Sequence, residues 1–446
     1  MARAAAGEMM RRLFLAAAVA LLAAPAHAAD VKSLPAVKGA ETWFVEDHTV
    51  PMIAMEVSIP AGSAYDPAGK FGLSAFAGEM LDEGAGNLNA KAYHEALADK
   101  AIQLTVTPDR DYLEITLTTL SENAADAFKL LGLALQHPRF DGDAVARVKA
   151  QLLQALAQED QDPTNIADKG FYAAFFAGHP YAHPADGDAP GLSAVTAADL
   201  KAFAHAYWVR GGMKIAISGD ASAATATALL QSAFGALPGN TPPPPPSLPH
   251  RQRAGQKVIT MAVPQAVAAF GLPGVARTDK DFVPAYVANY IVGGGGFSSR
   301  LTNEVRVKRG LTYGISTALL TLRRASFLDG QVATRVDSMS QSIAVMRQVL
   351  QDFADNGPTD QELADAKTYL TGSFPLTFAS NSGTVAQLAI FQRQGLGPDY
   401  VAKRNGLIAA VTIDDVRRAA KRLFDPARLT IVVAGSLGDS GRAGGH

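Results

Sequence analysis

A chain of 446 residues is long enough for two or three domains and a large buried core. With 18% charged residues and a net charge of −2, it offers no basic surface of the kind nucleic acids require. The absence of cysteine excludes disulfides, thiolate metal sites and a cysteine nucleophile together.

In chain order, Arg11 and Arg12 precede an apolar run over 13–24, followed by Pro25 and Ala26-His27-Ala28. That is a basic n-region, an h-region and an A-x-A site, so residues 1–28 are expected to be a signal peptide that delivers the mature chain to the periplasm. The apolar run is too short to stay as a membrane span, and no later segment is long and apolar enough to be one. Residues 11–15 are also similar to a twin-arginine export signal, which leaves the export route open. Over 52–59, Ile53, Met55, Val57 and Ile59 alternate with Met52, Ala54, Glu56 and Ser58, a half-buried strand pattern. After a turn at 60–63, Leu73, Phe76, Ala77, Met80 and Leu81 fall on one helical face. Strands return near 102–106 and over 112–118, where Leu113, Ile115 and Leu117 share a side. Helical patterns then fill 123–136, 143–158 and 165–176. Helices grouped around short, antiparallel strands predict an α+β architecture.

Five consecutive prolines, 242–246, cannot join a central strand or a helix interior and favour an extended linker. The expected division is therefore a first α+β domain over 29–240, a proline-rich linker over 241–255, a second α+β domain over 256–437 and a disordered tail over 438–446. The second domain repeats the first. Residues 195–220 align without a gap on 411–436, with Thr196 against Thr412, Asp199 against Asp415 and Gly219 against Gly435. A weaker match sets 94–106 on 303–315. Two copies of a unit of about 200 residues, each with a mainly antiparallel sheet and helices, thus flank the linker.

Residues 292–315 read V-G-G-G-G-F-S-S-R-L-T-N-E-V-R-V-K-R-G-L-T-Y-G-I. Gly293, Gly294, Gly295 and Gly296 allow positive φ angles and close approach of another chain. Ser298 or Ser299 is positioned to cap a short helix carrying Arg300, Glu304 and Arg306. Gly310 ends that helix, and 311–318 reads as a strand containing Tyr313. On the residues alone this is a helix and a strand with a flexible lead-in. Arg306 would then pair with Glu304 or Asp99, and Tyr313 would pack in the sheet.

The pattern G-G-G-x-S-S-R-L-x-x-E-V-R-x-K-R-G-L-x-Y closely resembles the second half of pitrilysin/insulinase-type zinc metallopeptidases, whose relatives include the mitochondrial processing peptidases and two-subunit bacterial proteases. The resemblance implies two homologous α+β halves enclosing a cavity. It also implies that Arg306, and Tyr313 seven positions later, reach a substrate bound at a zinc site elsewhere, with Gly293–Gly296 and Phe297 as the substrate-contacting edge. A phenol can donate to the oxyanion of a tetrahedral intermediate and a guanidinium can hold a substrate carbonyl. Active members carry His-x-x-Glu-His on the helix that matches residues 72–83. Here those positions hold Ala75, Gly78 and Glu79, and the family's downstream glutamate falls near Ala155. Alanine and glycine side chains cannot ligate a metal, so this chain is expected to bind no cofactor.

The remaining histidines do not restore a site. His94-Glu95 has Ala98 where a second histidine would stand. His179 and His183 fall in a loop, where hydrogen bonding is favoured over a metal pair, and His205 reads as a packed or surface residue. Glu79, Asp82 and Glu83 form an acidic cluster read as a solvated helix end. There is no P-loop, since Lys308 lies too far from the glycine run. The resemblance therefore implies the zinc-less subunit of a heteromeric peptidase, inactive alone, whose partners are a homologous zinc-bearing subunit and a peptide or unfolded protein. The rival expectation is a non-catalytic peptide-binding or scaffold protein of the same fold.

Overall fold

The computed structural model describes residues 30–248 and 254–437. The expected leader, the expected tail and part of the expected linker lie outside them. Thirteen strands are described: β1 (Lys32–Ser33), β2 (Glu41–Glu46), β3 (Met52–Ile59), β4 (Gly84–Ala85), β5 (Leu88–Asn89), β6 (Gln103–Pro108), β7 (Leu113–Leu120), β8 (Lys214–Gly219), β9 (Gly255–Thr260), β10 (Gln265–Pro273), β11 (Thr312–Thr321), β12 (Ser326–Arg335) and β13 (Thr430–Gly435). Two large sheets result, in the orders β1-β2-β8-β3-β7-β6 and β9-β13-β10-β12-β11, while β4 and β5 form a small hairpin. Apart from β1 the two orders are equivalent, so the repeat seen in the sequence is a repeat of topology.

In the aligned segments, Thr196 and Asp199 close a capping box on the Ala197–Tyr207 helix, and Thr412 and Asp415 close the same box on Ile413–Leu423. Each helix then delivers its apolar strand, β8 or β13, into the sheet interior. The expectation of antiparallel strands needs one correction per half. β2 pairs parallel with β8, and β9 with β13, because each return strand arrives after a helix in the direction of its half's opening strand.

Each sheet has its own core, one including Phe76, Ile115 and Phe128, the other Phe270, Val332 and Met346. The opposite faces are covered reciprocally. The first half's Pro163–Phe175 helix sends Phe171 and Phe175 against Val267, Phe327 and Val432 of the second sheet. The second half's Asn381–Arg393 helix sends Val385, Leu388 and Ala389 against Trp43, Ala54 and Ala216 of the first. This corrects the half-buried reading of β3, since every residue from Ile53 to Ile59 is buried. Glu56 survives there because Arg393 reaches it at 2.8 Å. No helix among the described residues is long and apolar enough to cross a membrane.

Candidate functional site at the glycine run and the bulged strand

The glycine run begins inside a helix. The Phe282–Asn289 helix widens into a π-helical turn over Tyr290–Gly294, and Gly295 N–H closes it on the Tyr290 carbonyl at 2.8 Å. Gly293 is buried, and a Cβ there would stand 2.3 Å from Thr317 Oγ1, which itself donates to Asn289 Oδ1 at 2.7 Å. Of the four glycines only Gly296 takes a positive φ, +57°, with open space around it. The expected flexible lead-in is thus a helix end in which Gly293 serves close packing and Gly296 serves the turn. Phe297, next in line, is 73% exposed.

Of the two candidate caps, the fully buried Ser299 acts. Its hydroxyl donates to the Gly296 carbonyl at 2.8 Å and accepts the Thr302 N–H at 3.4 Å. Arg300 anchors the short helix through a bidentate pair with Glu362, at 2.6 and 2.7 Å, and through the Gly357 carbonyl at 3.0 Å. From Thr302 to Val307 the helix is again π-wound. Glu304 is taken by Lys308 at 2.5 Å and Arg309 at 2.6 Å, and those two donors hold its carboxyl below the usual range, Lys308 first. Arg306 is left with no carboxylate partner among the described residues. Its guanidinium lies 4.6 Å from the centre of the Phe297 ring, a cation–π contact.

Gly310, at φ +61°, ends the helix and donates to the Arg306 carbonyl at 2.9 Å. Strand β11 then carries a bulge at its start. Thr312 faces Thr334 and Gly314 faces Ala333, so Tyr313 has no cross-strand partner. Buried Thr312 pins the bulge, donating to the Ala333 carbonyl at 2.5 Å and accepting the Gly314 N–H at 3.0 Å. Tyr313 is thereby put outward and is 85% exposed. The pairing of Arg306 with Glu304 or Asp99, and the packing of Tyr313 in the sheet, are not what the structure contains. Instead Arg306, Phe297 and Tyr313 stand at the surface without carboxylate or hydroxyl partners among the described residues. Phe297 was legible as an aromatic beside glycines; its role as a platform under Arg306, and the bulge made by Thr312, were not.

The helix matching the family's zinc motif is Leu73–Glu79. Ala75 is 1% exposed, and a Cβ on Gly78 would meet Leu113 at 2.6 Å and Val106 at 3.2 Å. The space for a side chain at position 78 is filled by the sheet. Glu79 is the sole carboxylate of the three positions, its pKa raised by desolvation and then by Asp82, Asp186 and Glu83. These positions do not fit a zinc ion. One further turn on, Asp82, Glu83 and His94 bring a ligand atom each within 4.8 Å of one another. Glu83 is bound there by Arg147, and His94 lies 3.2 Å from Asp82. His179 uses both nitrogens in the loop: Nδ1 accepts the Tyr181 N–H at 3.1 Å and Nε2 meets the Pro246 carbonyl at 2.8 Å. His183 stacks on Phe71 at 3.6 Å.

Comparison with known proteins gives one consistent family. An insulinase (peptidase family M16) model matches residues 42–188, and a peptidase M16 inactive-domain model matches residues 194–370. A non-peptidase homologue from Helicobacter pylori is 29% identical over 334 residues, spanning 75% of this chain and 77% of that protein. An uncharacterized zinc protease of Streptomyces coelicolor is 26% identical over 65% of this chain and 64% of its own length. Among solved structures, a peptidase M16 inactive domain from Pseudomonas fluorescens superposes with a TM-score of 0.85 at 29% identity, covering 92% of this chain and 98% of that one. A Helicobacter pylori protease shares the fold, with a TM-score of 0.84 at 18% identity over 91% of this chain and 99% of that one.

Proposed function

From the chain's homology to the pitrilysin/insulinase (M16) peptidases, including an inactive-type domain, we propose that it is the zinc-less subunit of a two-chain peptidase in the bacterial periplasm. The observation that carries the reading is the state of Arg306 and Tyr313. Glu304 is fully engaged by Lys308 and Arg309, while Arg306 rests on an exposed phenylalanine and Tyr313 is displayed on a bulge. Neither side chain makes an ion pair among the described residues. Desolvated by a second chain, the guanidinium is suited to hold a peptide carbonyl and the phenol to donate to a developing oxyanion. Phe297 and the exposed end of the glycine run, Gly294 to Gly296, form the edge along which an extended peptide would pass.

In this reading zinc belongs to a homologous partner with an intact His-x-x-Glu-His motif, which would supply the metal-activated water. The chain's own residues bind and orient the peptide and stabilise charge. A second reading, a non-catalytic peptide-binding protein, draws on the likeness to a relative described as a non-peptidase homologue.

Affinity purification of the tagged chain from its native host under gentle conditions separates the two. The expected outcome is a complex with a His-x-x-Glu-His homologue, one zinc per pair, and chelator-sensitive peptidase activity that needs both chains. A symmetric species of this chain alone, with no partner, favours the non-catalytic reading. Proteolysis by the isolated chain overturns both.

A further inference from the structure

A cleft of about 550 Å³ opens where the two halves and the linker meet, away from Arg306 and Tyr313. Its wall takes Tyr112 and Lys214 from the first half, Ser247 from the linker, and residues 276–278, 321–326 and 392–395 from the second. Five of the lining side chains are cations. Lys214 is neutralised by Glu41 at 2.6 Å, and Arg393 by Glu56 at 2.8 Å and Glu114 at 3.0 Å. Arg277 and Arg324 have no carboxylate within ion-pair distance among the described residues, whereas Arg323 gives its backbone N–H to buried Asp111 at 2.7 Å and part of its charge is offset by that carboxylate.

These three guanidinia are held in place by neutral groups. Arg277 donates from Nε to Gln394 Oε1 at 2.9 Å and lies over the Phe282 and Tyr400 rings at 4.3 and 4.9 Å. Arg323 donates to the Tyr65 hydroxyl at 2.8 Å, and Arg324 donates from Nε to the Pro245 carbonyl at 2.7 Å. Each is fixed through one nitrogen and keeps other N–H donors unused among the described residues. Tyr112, 5% exposed, lines the same cleft with a phenol that has no hydrogen-bond partner among the described residues. Burial pushes that phenol up to about 12, so it stays a donor at neutral pH.

Oriented donors and the unpaired charges of Arg277 and Arg324, with low-dielectric aromatic walls, make a site for oxyanions. The volume falls in the range of organic-ligand sites, far larger than a single phosphate or sulfate requires. The arginines also come from two separate stretches, so they can hold more than one anionic group. We propose that this interdomain cleft binds the carboxylates of an acidic peptide segment. The site is independent of the zinc-partner reading and can be tested on this chain alone.

The experiment measures fluorescence anisotropy of labelled oligoglutamate, oligoglutamine and oligolysine peptides with the full-length mature chain. Only the glutamate peptide should bind, and its affinity should fall steeply with added salt. Arg324→Gln and Arg277→Gln should each weaken it by about tenfold or more, the cost of one charge-assisted contact. Lys91→Gln, an exposed cation outside both the cleft and the Arg306 site, should not. Arg324→Glu, at an exposed position, should abolish binding, and melting temperatures of all variants should match the parent within a few degrees. Equal binding of the glutamine peptide overturns the assignment, as does unaltered binding by the Arg324 variants. Saturable binding of inorganic phosphate that excludes the peptide would make the cleft a site for a free oxyanion, overturning the peptide assignment.

Discussion

At the scale of single residues, the chemistry rests on which carboxylate each cation finds. Glu304 lies nearest in sequence to Arg306, yet the π-wound turn hands it to Lys308 and Arg309. Arg306 is consequently free to stack on Phe297. The proposed roles predict different kinetic signatures when variants of this chain are assayed with a wild-type zinc partner. Tyr313→Phe removes one hydroxyl from a side chain that is 85% exposed, so the melting temperature should hold. Loss of an oxyanion donor should lower kcat by about a hundred- to a thousandfold, equivalent to about 3–4 kcal/mol. Arg306→Ala should raise KM as well as slow turnover if the guanidinium holds the peptide in the ground state. Normal complex formation with full turnover in both variants would assign the pair to structure and favour the non-catalytic reading.

At the scale of elements, the two halves are pinned by the same local device. The capping boxes of Thr196 and Asp199, and of Thr412 and Asp415, satisfy helix N–H groups and fix where β8 and β13 begin their approach. Their hydroxyls accept the Asp199 and Asp415 N–H groups, each at 3.2 Å. Thr196→Ala and Thr412→Ala should each cost about 1 kcal/mol. Lying in different halves with no shared partner, the two losses should add in the double variant. Urea denaturation read by circular dichroism checks this. A change below about 0.3 kcal/mol in either single variant would show that the sheet, not the cap, positions that helix.

At the scale of the molecule, the halves are interlocked rather than merely joined. Each sends a helix across the other's sheet, and Arg393 satisfies Glu56 and Glu114 from the opposite half. Residues 29–240 expressed alone would expose Trp43, Ala54 and Ala216 and strand two carboxylates. They should give no cooperatively melting monomer, whereas co-expression with 241–446 should restore a folded complex. A sharp thermal transition in the isolated first half would contradict the interlock.

Buried carboxyls set a pH dependence as well. Burial pushes Asp66, Glu114 and Asp329 each up to about 7, Glu114 also feeling Glu56 and Asp329 also feeling Asp168. A carboxyl with a raised folded pKa binds more protons folded than unfolded. Its stabilising contribution is complete below the unfolded value near 4 and is lost as pH rises through about 7. Asp199 and Asp415, held near 2 by hydrogen bonds from Lys70 and from Thr412 respectively, lose their contribution only at far lower pH. The melting temperature should therefore fall between pH 5 and pH 8, and Asp329→Asn should flatten that slope. An unchanged slope in the variant would remove Asp329 from this account.

Much of this was already in the sequence, because it depends on residues close together along the chain. The strand at Met52–Ile59, the Thr-capped helices and their apolar strands and the doubled unit follow from local periodicity and caps, while the missing zinc motif is legible only against the family pattern that the sequence resembles. Burial of the second face of β3 could not be read there, since the covering helix begins more than three hundred residues later. The parallel β2–β8 and β9–β13 pairs likewise depend on which distant strand returns to which edge. At the site, it was the resemblance carried by the motif over 292–315 that singled out Arg306, Tyr313, the glycines and Phe297. Only tertiary packing decided that Gly293 would be filled by Thr317, that Thr312 would bulge the strand, and that Glu304 would be occupied. The physical reason is one of range. Propensity and periodicity act over a few residues, whereas burial, ion-pair choice and register are settled by groups that meet only after the chain has folded.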